Sequence, residues 1–288
     1  MQATIPLRQY AYLMRLHQPI GILLLLWPTL WALWLAASGM PTLDILLIFI
    51  LGVFIMRSAG CVMNDIFDRR IDGRVKRTSE RPLATGSVSV KQALLLVVVL
   101  GATAFLIVLF CNLLTIKLAC AGALFAVIYP LLKRVTPLPQ FGLGIAFSWG
   151  VPMSFAAVTG QVPAAAWLVF VTAALWPVIY DTMYAMVDKE DDIKINVKST
   201  AIFFGSRDIL FIGTLMMVFL ALLAMIGSIF NLHAIYYVAL IVVAMLFAWQ
   251  LWIIRTRDPK RCFQAFLQNN WVGMIIFLGI SLSMQQGM

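Results

Sequence analysis

The chain has 288 residues, 62% of them hydrophobic and only 11% charged, and its formal net charge is +9; the mean hydropathy is +0.96. Soluble domains are about one quarter charged, so this composition excludes a soluble enzyme or a soluble nucleic-acid-binding module and specifies an integral membrane protein. The length then sets the number of membrane crossings, and a single domain over residues 1–288 is expected.

Runs of about 20 apolar residues, enough for a helix to cross the hydrocarbon, predict nine spans. In chain order they are Pro19 to Ser38, Leu43 to Val62, Ala93 to Cys111, Thr115 to Leu132, Leu138 to Val158, Ala164 to Met186, Ile209 to Ile229, Ala234 to Ile254 and Trp271 to Met284. The third and fourth are separated only by a short link around Asn112, and the ninth is short for a crossing. The first run follows Arg8 and Arg15 as a signal peptide would, but eight spans behind it favour a retained helix. Pro28, Pro152 and Pro177 inside spans suggest kinks that widen a central cavity. Trp27, Trp31 and Trp34 read as packing and interfacial anchors rather than as a substrate cage.

The connections set the orientation. Of the 21 Lys and Arg residues, only Lys117 falls on the second face under nine spans, which places the N-terminus in the cytoplasm and the C-terminus outside. The basic collar suits topology and anionic membrane lipid, with no call for nucleic acid.

The acids follow another pattern. Nine of the 12 fall in two clusters, one after the second span and one at the end of the sixth. In NDIFDRRID, a continuing helix brings Asn64, Asp65, Asp68 and Asp72 into an arc of about a hundred degrees. In YDTMYAMVDKEDD, Asp181, Asp188 and Asp192 share a face within about forty degrees. Acids in apolar sequence are costly and mark function. Two such stripes on packed helices make a cage of hard oxygen ligands, for which Mg²⁺ is the natural occupant. The four cysteines and two histidines show no metal-ligand or redox spacing and read as packing residues. Arg69, Arg70, Arg74, Lys76, Arg77 and Arg81 follow the first stripe, and Lys194 and Lys198 the second. Carboxylates for Mg²⁺ beside cations for phosphate oxygens describe a diphosphate site. Apolar helices around it describe a polyprenyl diphosphate, ionised where water is excluded. An ion-coupled transporter is the competing class; it leaves unexplained why both acid clusters and the bases share one side, while the other half has almost no polar residues.

The stretch NDIFDRRIDGRVKRTSERPLATG has the N-D-x-x-D-x-x-x-D pattern of the intramembrane aromatic prenyltransferases, and YDTMYAMVDKEDDIKINVKSTA resembles their second aspartate-rich motif. The similarity runs from RLHQPIGILLLLWPTLWAL to CFQAFLQNNWVGMIIFLG and is greatest to the bacterial 4-hydroxybenzoate polyprenyltransferases of ubiquinone biosynthesis; haem, chlorophyll and menaquinone relatives are the alternatives. The resemblance implies an all-α fold of nine helices around a central cavity open to the cytoplasm, in a bacterial inner membrane with the C-terminus periplasmic. It implies Mg²⁺ ligands at Asn64, Asp68, Asp72, Asp188 and Asp192, with Arg134 of YPLLKRVTP joining the four aspartates in catalysis. Diphosphate contacts fall to Asn64, Lys76, Arg77, Arg81 and Lys198. The expected reaction joins the prenyl group to the carbon ortho to the hydroxyl of 4-hydroxybenzoate and releases diphosphate. The acceptor carboxylate needs a cation: Arg134, beside Tyr129, is the first expectation, with Arg57 and Arg15 as alternatives, and Asp191 is expected to orient or deprotonate the phenol. Prenyl chain length, oligomeric state and the base for the ring proton stay open.

Overall fold

A computed structural model describes residues 7–73, 78–195 and 197–286, and every regular element among them is helical. Lipid offers backbone groups no partners, so a span must satisfy them within itself. Helix α1 (Leu7–Leu13) leads into α2 (Ile20–Ala37) and α3 (Leu43–Asp72). Next come α4 (Val90–Val108), α5 (Leu113–Val135), α6 (Pro139–Ser148), α7 (Gly150–Thr159) and α8 (Ala164–Lys194). The short α9 (Thr200–Phe204) and a 3₁₀ turn, Gly205–Arg207, lead into α10 (Asp208–Ile229), followed by α11 (Ala234–Ile254) and α12 (Pro259–Gln285). Nine spans result among the described residues, with α6 and α7 forming one and α9 with α10 another.

The span count agrees with expectation; several boundaries do not. The second and sixth spans run on as unbroken helices of 30 and 31 residues. At 1.5 Å per residue each is about 45 Å long, well beyond the hydrocarbon, so both acidic motifs ride on helical stalks. The ninth run was expected to start at Trp271, but α12 starts at Pro259, its first turn capped by Asp258, which accepts from the Arg261 N–H at 3.0 Å. Gln268, Asn269 and Asn270 interrupt the hydropathy, and the fold uses two of them internally. Trp176 Nε1 donates to Asn269 Oδ1 at 3.0 Å, Trp27 Nε1 to Asn270 Oδ1 at 2.9 Å, and Trp31 Nε1 to the Gly273 carbonyl at 3.0 Å. These bonds tie α2, α8 and α12 together, and they show Trp27 and Trp31 to be packing residues. The fifth span breaks at Trp149, because Pro152 has no N–H for the Ser148 carbonyl. Pro28 and Pro177 leave their helices unbroken.

The bundle has a solid half and a hollow half. In the first, α2, α7, α8, α10, α11 and α12 share one core containing Trp31, Trp176, Tyr180, Phe219 and Tyr236. Helix α6 approaches α8 closely at Gly144, where any Cβ would overlap the Ala174 backbone. In the second, α4 buries only Ala93 and Val108, and α5 only Thr115 and Pro130. Helices α4 and α5 touch each other sparsely, so one flank of each faces outward and the other faces a cavity.

Candidate active site at the helix mouths

The first motif occupies the last two turns of α3, where its carboxylates are almost fully buried: Asp65 is 0% exposed, and Asp68 and Asp72 are each 5%. Buried charges need partners, and each has one. Arg15, from the link between α1 and α2, donates to Asp65 Oδ1 at 2.7 Å. Arg81 lies 3.1 Å from the same oxygen and donates to both oxygens of Asp72 at 2.9 and 2.8 Å. Lys133 donates to Asp68 Oδ2, while Arg134 stands 3.9 Å from Asp68 Oδ1 and donates to the Phe67 carbonyl at 2.6 Å. Burial holds the Asp72 carboxyl above its ordinary pKa despite the pull of Arg81. Asn64 is half-buried on the same helix.

The second motif continues α8 below Tyr180. The Gln140 side chain stands beside Asp181, and the Thr200 backbone N–H donates to Gln140 Oε1 at 3.1 Å. Thr182 and Thr200 share a hydroxyl contact of 2.7 Å. The segment Lys198 to Thr200 is thereby fixed to both α6 and α8. Lys198 also bonds α5, its N–H donating to the Lys133 carbonyl at 3.2 Å and its Nζ to the Val135 carbonyl at 3.1 Å. Asp188 and Asp192 are half-buried farther along α8.

The two motif helices share at most sparse direct contact, and α3 and α8 are joined through a third element. The last turn of α5 reaches one way through the Lys133 ammonium to Asp68 and the other way through the Lys133 carbonyl to Lys198. Sequence reasoning assigned Lys133 to topology alone, and its adjacency to Arg134 was the one available signal. Gln140 was missed as well, since a lone amide in a span has no motif. Arg15, an alternative partner for the acceptor carboxylate, sits on Asp65. Asp191 pairs with Lys194 at 3.0 Å, and both side chains are about half exposed or more. That solvated pair does not support the expected role at the phenol. Lys76 and Arg77 lie outside the described residues.

Above the motifs is a cavity of about 290 Å³ bounded by α2 to α7. Its walls are small or apolar, including Gly52, Gly101, Ala119, Phe147 and Trp149, and Arg57 and Tyr129 lie at the end nearest the motifs. The Arg57 guanidinium packs on Gly21, where a Cβ would overlap it. It stands 5.6 Å from the Phe147 ring centre and donates to Cys61 Sγ at 2.6 Å. Its Nε has no hydrogen-bond partner, and among the described residues no carboxylate pairs with it. Tyr129 lies in the electrostatic reach of Arg57, Asp68 and Asp181 together, so the cavity end and both motifs form one locality.

No preformed group of three His, Cys, Asp or Glu ligands exists among the described residues. Mg²⁺ does not require one, because it is commonly held by one or two carboxylates, waters and substrate phosphates. The donor set is all oxygen, and among the described residues buried Asp68 Oδ1 and Asp65 Oδ2 have no hydrogen-bond partner. These residues fit a hard divalent cation.

Similarity to known proteins follows the same lines. The chain is 56% identical over 271 residues to 4-hydroxybenzoate octaprenyltransferase of Saccharophagus degradans, covering 94% of this chain and 91% of that one. It is 54% identical over 285 residues to the Tolumonas auensis enzyme of the same name, covering 98% and 100%. The structure superposes on that of a UbiA homologue from Aeropyrum pernix with a TM-score of 0.80 at 26% identity, over 92% of this chain and 98% of that one. A UbiA homologue from Archaeoglobus fulgidus, bound to GPP and Mg²⁺, shares the fold at a TM-score of 0.70 and 17% identity, over 95% and 99%. Residues 25–277, which carry both acidic stalks and the cavity, match the UbiA prenyltransferase family, and the chain belongs to it.

Proposed function

We propose that the chain transfers a polyprenyl group from polyprenyl diphosphate to the carbon ortho to the hydroxyl of 4-hydroxybenzoate, in ubiquinone biosynthesis. The observation that carries this reading is the single locality made by two acidic stalks, their cations, and an apolar cavity ending at Arg57, with which no carboxylate of the described residues pairs. Relatives 54 to 56% identical over nearly the whole chain bear that activity in their names.

The donor diphosphate takes the motif side and its tail the cavity. Asn64, Asp68 and Asp72 from α3, with Asp188 and Asp192 from α8, would hold Mg²⁺, which supplies Lewis-acid neutralisation of the departing diphosphate. Arg81, Lys133, Lys198 and Arg134 bring positive charge to its remaining oxygens, and Lys76 and Arg77 belong to the same basic set. Lys133 and Arg81 pair with the first motif, so they stand where leaving-group charge develops. The allylic C–O bond breaks among apolar walls, which keep water from the cation. Arg57 holds the acceptor carboxylate beside Tyr129, presenting the ring to the cation. The ortho carbon bonds the allylic carbon, and loss of the ring proton restores aromaticity.

The whole chain acts as one domain in a bacterial inner membrane, with the motif side cytoplasmic, the N-terminus cytoplasmic and the C-terminus periplasmic. Membranes containing the chain, given 4-hydroxybenzoate, a polyprenyl diphosphate and Mg²⁺, should yield 3-polyprenyl-4-hydroxybenzoate. Prenylation of a different aromatic, with 4-hydroxybenzoate left untouched, would move the chain to another branch of the family.

A further inference from the structure

A second charged cluster lies beside the second motif, outside the site described above. Asp208, the first residue of α10, is wholly buried. Its carboxylate accepts from Arg257 through Nη2 at 2.7 Å and Nε at 3.1 Å, and pairs with Lys189 Nζ at 3.4 Å. Arg257 also donates to the Ser206 carbonyl at 2.8 Å, and Lys189 to the Gly205 carbonyl at 3.1 Å. Three segments distant in sequence therefore meet at one carboxylate: the end of α8, the turn before α10, and the link between α11 and α12. Arg257 reaches it from left-handed backbone, with φ at 53°, a conformation that persists only where its surroundings impose it.

A buried ionic cluster is a poor source of stability, because desolvation offsets much of the attraction; its best-attested use is to select one register. The end of α8 has need of that. No residue of α8 after Met186 is fully buried, and after it only Val187 packs partly against the core, so apolar packing holds the rotation of the turns that carry Asp188 and Asp192 only at their start. Lys189 lies about 100° round the helix from Asp188. Holding its ammonium against Asp208 and Gly205 fixes that rotation, and keeps Asp188 and Asp192 on the stripe that begins at Asp181.

We infer that Lys189, Asp208 and Arg257 form a positioning device that sets the aim of Asp188 and Asp192 at the diphosphate site, an inference that rests on reading those two carboxylates as metal ligands. The measurement is the Mg²⁺ concentration giving half-maximal thermal stabilisation of the purified protein by geranyl S-thiolodiphosphate, a donor analogue slow to ionise, so that no turnover is involved. Supporting residues of this kind change metal affinity by about tenfold or more, and Lys189→Met should raise the half-saturating Mg²⁺ by roughly tenfold. Lys189→Arg, which can still reach Asp208, should restore most of it. Lys189→Met leaves Arg257 on Asp208, so it disturbs the aim without stranding a buried charge. Asp208→Asn should act in the same direction, and the double variant should be less than additive, as expected of one network. Asp192→Asn is the reference, since it removes a proposed ligand outright. If Asp192→Asn leaves the Mg²⁺ requirement unchanged, the ligand reading fails and the inference falls with it. If Asp192→Asn moves it and Lys189→Met does not, or if Lys189→Met only lowers the melting temperature, the positioning role alone is overturned.

Discussion

A guanidinium enclosed in a membrane bundle is costly unless something anionic meets it, and no carboxylate of the described residues meets Arg57. Arg134, four residues beyond Pro130 in the same helix as Tyr129, instead donates to the Phe67 carbonyl and lies near Asp68. The geometry therefore favours Arg57 for the acceptor and Arg134 for the diphosphate. Truncating one side of a buried charge pair costs about 2–5 kcal/mol. Arg57→Ala should accordingly lower kcat/KM for 4-hydroxybenzoate by that order, with a much smaller change in the KM for the prenyl diphosphate. Arg134→Ala should show the opposite split, and an exchange of these two patterns would return the acceptor carboxylate to Arg134. The carboxylates give a separate test. Asp68→Asn keeps the side-chain shape but removes a charge from the proposed metal and from its pair with Lys133. It should lower turnover by on the order of a hundredfold or more in protein that remains folded. Full activity at saturating Mg²⁺ would remove Asp68 from the site.

At the scale of elements, α12 is the case where polar residues serve the fold. Asn269 is 0% exposed. It accepts from Trp176 Nε1 at 3.0 Å and donates to the Ala265 carbonyl at 3.0 Å. Interhelical hydrogen bonds in membranes average about 0.6 kcal/mol, with a maximum near 1.7 kcal/mol. Asn269→Leu should therefore lower stability to unfolding in detergent by about 1 kcal/mol, while leaving the Mg²⁺ and donor requirements of the enzyme unchanged. A changed donor KM would mean that the tryptophan bonds of α2 and α8 also shape the cavity. Helix α5 has the contrary character. Its outer flank faces away from the bundle, and its last turn carries Lys133 and Arg134, with Lys198 bonded to its backbone. One lightly packed helix thus joins the two acidic stalks.

For the whole molecule, the asymmetry between halves matters most. The solid half packs α8 into the core as far as Met186 and Val187, and the hollow half contains the apolar cavity proposed for the prenyl tail. Orientation belongs to this scale as well. With the basic residues concentrated on the motif side, that side should face the cytoplasm. In a variant without reactive native cysteines, a thiol placed at Gln286 should be labelled from the periplasm by an impermeant reagent, and one placed at Ser79 should not. The reverse labelling would invert the orientation.

Composition and periodicity determined the membrane class, the nine spans and the two acidic faces, because hydropathy and helical phase are properties of neighbouring residues. NDIFDRRID announces a crowded carboxylate stripe wherever its helix is placed, and the stripe is on one face of α3 in the folded chain. The start of α12 was not legible in this way, since Asn269 and Asn270 reduce local hydropathy while their partners, Trp176 and Trp27, lie far off in sequence. The choice among basic residues was illegible for the same reason. Lys133 and Arg134 are adjacent and chemically alike, and only the phase of α5 against α3 brings the first onto Asp68 and turns the second to the Phe67 carbonyl. Arg57 is one of three candidate partners for the acceptor carboxylate, ranked behind Arg134, and only tertiary packing closes Gly21, Phe147 and Tyr129 around it. Which charges meet is decided by the lateral placement of distant helices, and one-dimensional patterns of hydropathy do not encode that placement.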